Sequence, residues 1–237
     1  MRDSAPPPAT VITGAAAGLG AVIAAELTRR GQRLILVDRD REALAAAAAA
    51  AALPGGAAPP HVIVADLSSL AGAQAAAEDA LRQAPLDGLV NNAGGQAPGE
   101  QYPAAAPDAW HASVTLNLLT PMLLTQLLWE ELARASGAVV NIGSSGGLGD
   151  APYASPEYGA AKAGLHRFTT SLGDRRDVRV TGVIPGWIGL ARARAERAAM
   201  SPAEREATGP LVEPEAIARE VADLLERGHA GELRRML

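Results

Sequence analysis

Short apolar runs alternate with longer segments of helical composition along most of the chain. The runs are TVITG (10–14), RLILVD (33–38), HVIVAD (61–66), LDGLVNNAG (86–94), GAVVNIGSS (137–145), VRVTGVIPG (178–186) and ELRRML (232–237). Six of them are rich in Val, Ile and Leu and bounded by Gly, Pro, Asn or Asp, as strands buried on both faces should be. The seventh carries two arginines and predicts an edge strand. Between them, helices are predicted over 18–31, 39–52, 68–84, 107–134, 156–174 and 213–227. Strand and helix in repeated alternation predict an α/β protein: a Rossmann-type doubly wound parallel sheet of about seven strands with helices on both faces. No shift of composition divides the chain, so residues 1–237 are expected to form one nucleotide-binding domain. The stretch 187–212 (WIGLARARAERAAMSPAEREATGPLV) interrupts the alternation. Ligands of open α/β sheets bind beyond the carboxyl ends of the strands, so this excursion is expected to be a substrate lid.

Composition removes several alternatives. The net charge of −5 offers no general attraction for nucleic acid, and no block of like charges suggests a binding tail. There is no cysteine, and His61, His111, His166 and His229 show no metal-ligand spacing. The first ten residues contain no apolar run, and no stretch reads as the roughly 18 apolar residues of a membrane span, so a soluble cytoplasmic protein is expected. The alanine-rich run 42–53 predicts a surface helix.

The segment TGAAAGLG (13–20) follows the first strand and opens the first helix. Glycines there let the backbone turn tightly, and a helix N-terminus offers unpaired N–H groups to a pyrophosphate; the alternative is a turn that serves packing alone. Asp38 ends the second strand eighteen residues after Gly20, where an acid accepts hydrogen bonds from an adenosine ribose and repels a 2′-phosphate. Arg39 argues the other way, since a guanidinium just after that strand can bind the phosphate. The balance favours NAD, with NADP the less favoured cofactor.

Arginine occurs twenty times and lysine once, at Lys162. It lies four residues after Tyr158, one helical turn away on the same face. An ammonium beside a phenol favours the phenolate and lowers its pKa. Tyr153 has Glu157 at the same spacing, which would act oppositely, so Tyr153 is expected to be a pocket wall or a surface residue. Ser145 lies thirteen residues before Tyr158 at the end of the fifth strand, with its neighbour Ser144 as the alternative hydroxyl.

With these residues in view the chain resembles the short-chain dehydrogenase/reductase family in its compact form. The marks are TGAAAGLG, Asp66 and Leu67 after the third strand, NNAG (91–94), Asn117, Ser145, YGAAK (158–162), and Pro185 with Gly186 after the sixth strand. The resemblance implies an enzyme that moves a hydride between a nicotinamide and a secondary alcohol or ketone. It implies Tyr158 as acid/base, Lys162 lowering its pKa and binding the ribose, Ser145 holding the substrate oxygen, and Asn117 in a proton relay. The alternative for Asn117 is a buried side chain satisfying helix backbone. Cofactor contacts are implied for Gly14, Ala16, Ala17, Gly18, Leu19 and Gly20, for Asp38, Arg39, Asp66 and Leu67, for Asn92, Ala93 and Gly94, and for Pro185, Gly186 and Ile188. The chain departs from the family at Leu190, where a Thr or Ser often holds the nicotinamide amide. Its C-terminal run looks more like the NAD-using 15-hydroxyprostaglandin dehydrogenase branch than the acyl-carrier-protein reductases.

Gln96, Leu148, Tyr153, Trp187 and Leu190 form the expected substrate pocket, a largely apolar set that suits a hydrophobic secondary alcohol or ketone. An NADPH-dependent ketoreductase is the near alternative, and a non-catalytic nucleotide-binding sensor or scaffold is the alternative of a different class. The resemblance also implies a homodimer or homotetramer built on the helices at 107–134 and 156–174.

Overall fold

The computed structural model describes residues 6–51, 59–96, 103–149 and 153–237. Seven parallel strands form one sheet: β1 (Ala9–Thr13), β2 (Arg33–Asp38), β3 (His61–Val64), β4 (Leu86–Asn91), β5 (Ala138–Ile142), β6 (Arg179–Pro185) and β7 (Leu233–Met236). Their order is β3-β2-β1-β4-β5-β6-β7, so each of the seven apolar runs became a strand and the arginine-bearing run is an edge. The order reverses between β1 and β4, and there the two halves diverge and leave a crevice at the carboxyl ends of the strands. β1 and β5 are buried at every position, because helices cover both faces, whereas the edge strand β3 buries only Ile63.

One face carries α1 (Gly18–Arg29) and α9 (Pro214–Arg227), which pack on each other and on the sheet through Ile23, Leu27, Val221 and Leu224. Arg30 closes that layer, pairing with Glu26, Asp223 and Glu226. The other face carries α3 (Leu70–Arg82) and α5 (Thr120–Arg134), with Ala73, Ala77, Ala80, Leu124, Leu128 and Leu132 buried between them and the sheet. Small residues on α3 let it lie close against α5. The alanine-rich run became α2 (Arg41–Ala50), capped by Asp40, whose carboxylate accepts from the Ala43 N–H at 3.0 Å, and held down by buried Leu44.

The helix expected over 107–134 is one continuous helical run with a defect in its middle. α4 (Pro107–Val114) passes through a π-helical turn (Thr115–Leu119) into α5. Pro121 has no N–H to give the Asn117 carbonyl and its ring crowds that carbonyl, so the ladder widens where Asn117 sits. By length and composition alone this 28-residue run could cross a membrane, contrary to the expectation from sequence; 44 % of its apolar window is buried, with Leu124, Leu128 and Leu132 against the sheet.

The excursion 187–212 holds α7 (Ala191–Ala199) and α8 (Pro202–Thr208). An isolated bridge between Ile188 and Val212 and the Arg194–Glu213 ion pair fasten its base. The Arg197 guanidinium donates to the carbonyls of Arg205 and Gly209 and so caps α8. The remaining long helix, α6 (Pro156–Ser171), lies between β6 and the α4–α5 run.

Candidate active site

The glycine-rich turn is held by residues of the next strand over. The Thr13 hydroxyl accepts from the backbone N–H groups of Asn92 and Ala93, both at 3.0 Å, and the Asn92 amide donates to the carbonyls of Thr13 and Gly14 at 2.9 and 3.1 Å. Asn92 is therefore a brace of the turn. Gly18 adopts φ +56°, and a Cβ on Gly20 would lie 2.0 Å from the Gly14 carbonyl oxygen, so α1 approaches β1 at a distance that only glycine allows. α1 has Ala17 at its N-cap with no side-chain hydrogen bond, which leaves its first N–H groups available to an anion. The turn fits a dinucleotide pyrophosphate.

Asp38 stands beside that turn. Its carboxylate accepts from the Ala16 and Asp40 N–H groups, each at 3.1 Å. Arg39 is exposed, and its charge helps to hold the Asp66 carboxyl below the usual carboxylate range, behind the larger effects of the Ser68 N–H and hydroxyl that Asp66 accepts. Leu67 is a core residue whose carbonyl takes the Thr120 hydroxyl.

Three buried polar side chains fix how α6 meets the sheet. The Asn91 amide donates to Asn141 Oδ1 and the Asn141 amide to Thr169 Oγ1, both at 2.9 Å. Asn141 and Thr169 carry a signal that sequence reading passed over: Asn141 is a polar residue inside an otherwise apolar strand. With α6 so oriented, Tyr158, Lys162 and His166 fall on one face, one turn apart, beneath the end of β5. Lys162 is 3 % exposed and donates to the Ile142 carbonyl at 2.8 Å; burial alone pulls its pKa down to about 8. Its Nζ is 5.7 Å from the centre of the Tyr158 ring. Asn117 is fully buried, exchanges two hydrogen bonds with the Gly95 backbone at 3.0 Å, and donates to Ser113 O at 2.9 Å. A Cβ on Gly94 would be 2.6 Å from Asn117 Oδ1 and 3.2 Å from Lys162 Nζ, so both groups converge on one glycine.

Two expectations are corrected. Of the two adjacent serines it is Ser144, and not Ser145, whose hydroxyl acts on the Tyr158 phenol, drawing its pKa down against burial. Ser144 is still extended (φ −163°, ψ 145°) where the β5 direction ends, and Ser145 already opens the 3-10 turn Ser145–Gly147. The Tyr158 pKa, expected to be lowered beside Lys162, is raised instead. Burial raises it above its usual value near 10, the Ser144 hydroxyl opposes that, and nearby Tyr153 adds to it. A lysine that loses its proton near 8 is neutral before such a phenol ionises.

The pocket residues divide. Tyr153 stacks on Tyr158 with ring centres 6.0 Å apart and 24° between planes, and Gln96 donates to its hydroxyl at 2.9 Å, so this pair forms a wall over Tyr158. Leu148 is half-buried just beyond the 3-10 turn, and Trp187 is half-buried, its carbonyl accepting from Val212 N–H. Leu190 lies over the glycine-rich turn, its Cδ1 3.5 Å from where a Gly18 Cβ would be. Ile188 packs on the core beside Val212, and Gly186 N–H donates to Met236 O at the end of the sheet.

The pattern of the short chain dehydrogenase family matches residues 8–201. The chain belongs to the short-chain dehydrogenase/reductase family. It is an oxidoreductase of the class that works on alcohol and ketone groups. It is 34 % identical over 184 residues to galactitol 2-dehydrogenase (L-tagatose-forming) of Cereibacter sphaeroides, covering 75 % of this chain and 70 % of that one. It is 30 % identical over 240 residues to a putative ketoacyl reductase of Streptomyces coelicolor, covering 93 % and 90 %. Among solved structures, a metagenomic short-chain oxidoreductase in complex with NADP is 30 % identical, with a TM-score of 0.77 over 97 % of each chain. These matches establish the family and not a branch within it.

Proposed function

We propose that this short-chain dehydrogenase/reductase is a single-domain, NAD-linked enzyme that interconverts a hydrophobic secondary alcohol and its ketone, with Tyr158 as acid/base and Ser144 as the hydroxyl that holds the substrate oxygen. The observation that carries the reading is the convergence of Ser144, Tyr158, Lys162 and Asn117 at the carboxyl ends of β4 and β5, beside a turn built for a pyrophosphate. The nicotinamide, when bound, supplies or accepts the hydride. Tyr158 is protonated at neutral pH because burial holds its pKa high, which is the state that donates to a carbonyl oxygen. Ser144 Oγ hydrogen-bonds that oxygen and the phenol together. Lys162, charged below about pH 8, stabilises the negative charge that develops on Tyr158 as the proton leaves. Trp187 and Tyr153 give the substrate side its apolar walls, with Gln96 as a polar anchor. The excursion 187–212 serves as the lid, and Leu190 over Gly18 brings it against the cofactor turn.

Preference for NAD rests on Asp38, whose carboxylate is aimed at the turn by two backbone N–H groups, while Arg39 is exposed and its charge bears on Asp66. Titrating the protein with NADH and NADPH, followed by tryptophan quenching, tests it. Tighter NADH binding is expected, with Asp38→Ser moving the preference toward NADPH; tighter NADPH binding by the unaltered protein would overturn the reading. Tyr158→Phe tests the enzyme itself and is expected to abolish turnover while NADH still binds.

Assembly as a homodimer or homotetramer through α5 and α6 is part of the same proposal. Met122 and Leu127 are exposed on α5, and an open groove of about 500 Å³ between the two helices is lined by Met122, Gln126, Trp129, Phe168 and Leu172. Light scattering of the protein and of Met122→Arg, expected to dissociate, decides it.

A further inference from the structure

His166 is buried and takes no part in the mechanism above. It lies on the Tyr158 and Lys162 face of α6, 8 % exposed, and its Nε2 accepts the Ser144 backbone N–H at 3.3 Å. Residues 143–147, just after β5, are folded around its ring. A Cβ on Gly143 would be 2.3 Å from Nε2, and one on Gly147 would be 2.9 Å from Cε1, so two glycines make room for the imidazole on either side of Ser144. The Ser144 hydroxyl in turn acts on the Tyr158 phenol, opposing the rise that burial gives its pKa. The imidazole is thus linked through the Ser144 backbone to the hydroxyl that acts on the acid/base.

Nε2 can accept only in the neutral ring with its proton on Nδ1. Burial first, and then the Lys162 ammonium, pull the imidazole pKa down to about 4; Arg235 acts in the same direction and a backbone contact with Gly147 opposes them. The ring is therefore neutral throughout the range in which the protein would work, and it stays an acceptor. A protonated ring would set donor against donor at Ser144 and place a second cation beside Lys162.

We propose that His166 is a positioning residue for the reaction: by accepting the Ser144 N–H it holds the end of β5 so that the Ser144 hydroxyl meets both Tyr158 and the substrate oxygen. This rests on the assignment of Ser144 and Tyr158 made above, and the test separates the two. His166→Leu keeps the bulk and removes the acceptor, whereas His166→Gln returns an amide oxygen near Nε2. Reduction of acetophenone and cyclohexanone by NADH is measured for both, for Ser144→Ala and for the double variant His166→Leu/Ser144→Ala. His166→Leu is expected to lower kcat about tenfold with NADH binding unchanged, His166→Gln to recover most of that, and His166→Leu to have no further effect once Ser144 is alanine. The chain has only three tyrosines, so phenol ionisation followed at 295 nm is readable without turnover. The Tyr158 transition is expected to move to higher pH in His166→Leu and in Ser144→Ala, and to stay in place in His166→Gln. Equal losses from His166→Leu with and without Ser144, or an unmoved phenol transition in His166→Leu alone, would overturn the role of His166 and leave the Ser144 assignment standing. An unmoved phenol transition and unaltered kcat in Ser144→Ala would overturn both.

Discussion

Replacing Lys162 with methionine should make the protein more stable and leave it inactive. The ammonium is 3 % exposed, its hydrogen-bond partner is the uncharged Ile142 carbonyl, and burial lowers its pKa from 10.5 to about 8. At about 1.4 kcal/mol per pH unit, keeping that charge inside at neutral pH costs about 3 kcal/mol. Methionine fills similar volume without charge and forfeits one hydrogen bond worth about 1 kcal/mol. The variant should therefore lead by about 2 kcal/mol at pH 7, roughly 4–8 °C in Tm for a chain of this size. The sign reverses the usual behaviour of a paired lysine. Between pH 8 and 10.5 the unfolded chain holds a proton that the folded chain has released, so the wild type gains stability as pH rises through that window. The lead should fall to about 1 kcal/mol at pH 9. Thermal melts of both proteins at pH 7 and pH 9 measure the difference, with contributions from other titrating groups cancelling between them. Turnover should drop at least about 100-fold over the same pair. A variant that melts below wild type at pH 7, or keeps the same lead at both pH values, would refute the claim that an uncompensated buried charge is retained here for chemistry.

Ser144→Ala should lower kcat about 100-fold while Ser145→Ala stays within about threefold, because Ser144 is the serine that acts on the phenol; steady-state rates with a ketone probe and NADH check this. Gly20→Ala should weaken NADH binding by about two orders of magnitude in a fluorescence titration, since the added Cβ meets the Gly14 oxygen at 2.0 Å and α1 must back away from the turn. Asn92→Asp is nearly isosteric but sets a carboxylate against the carbonyls of Thr13 and Gly14. It should cost about 3 kcal/mol in urea unfolding, and an unchanged midpoint would remove Asn92 from the bracing of the turn.

The seven strands, their parallel alignment and the places of the glycine-rich turn, Asp38, Tyr158 and Lys162 were legible in the chain itself. The reason is local. An apolar run bounded by breakers, a glycine where α1 must touch β1, and a four-residue helical spacing each involve neighbours in sequence, and each tolerates few substitutes. Even the π-helical defect has a local cause in Pro121, although where it would place Asn117 was not readable. Which serine meets the phenol was a matter of tertiary structure, because a 3-10 turn shifts the register between β5 and α6 by less than one residue spacing can reveal. The same holds for Leu190, which packs over Gly18, and for His166, silent in the sequence until Gly143 and Gly147 close around it. The direction of the Tyr158 and Lys162 pKa values was also decided by packing. Spacing predicts that an ammonium lowers a neighbouring phenol, but desolvation acts on each group separately and, in a site this buried, outweighs their mutual attraction.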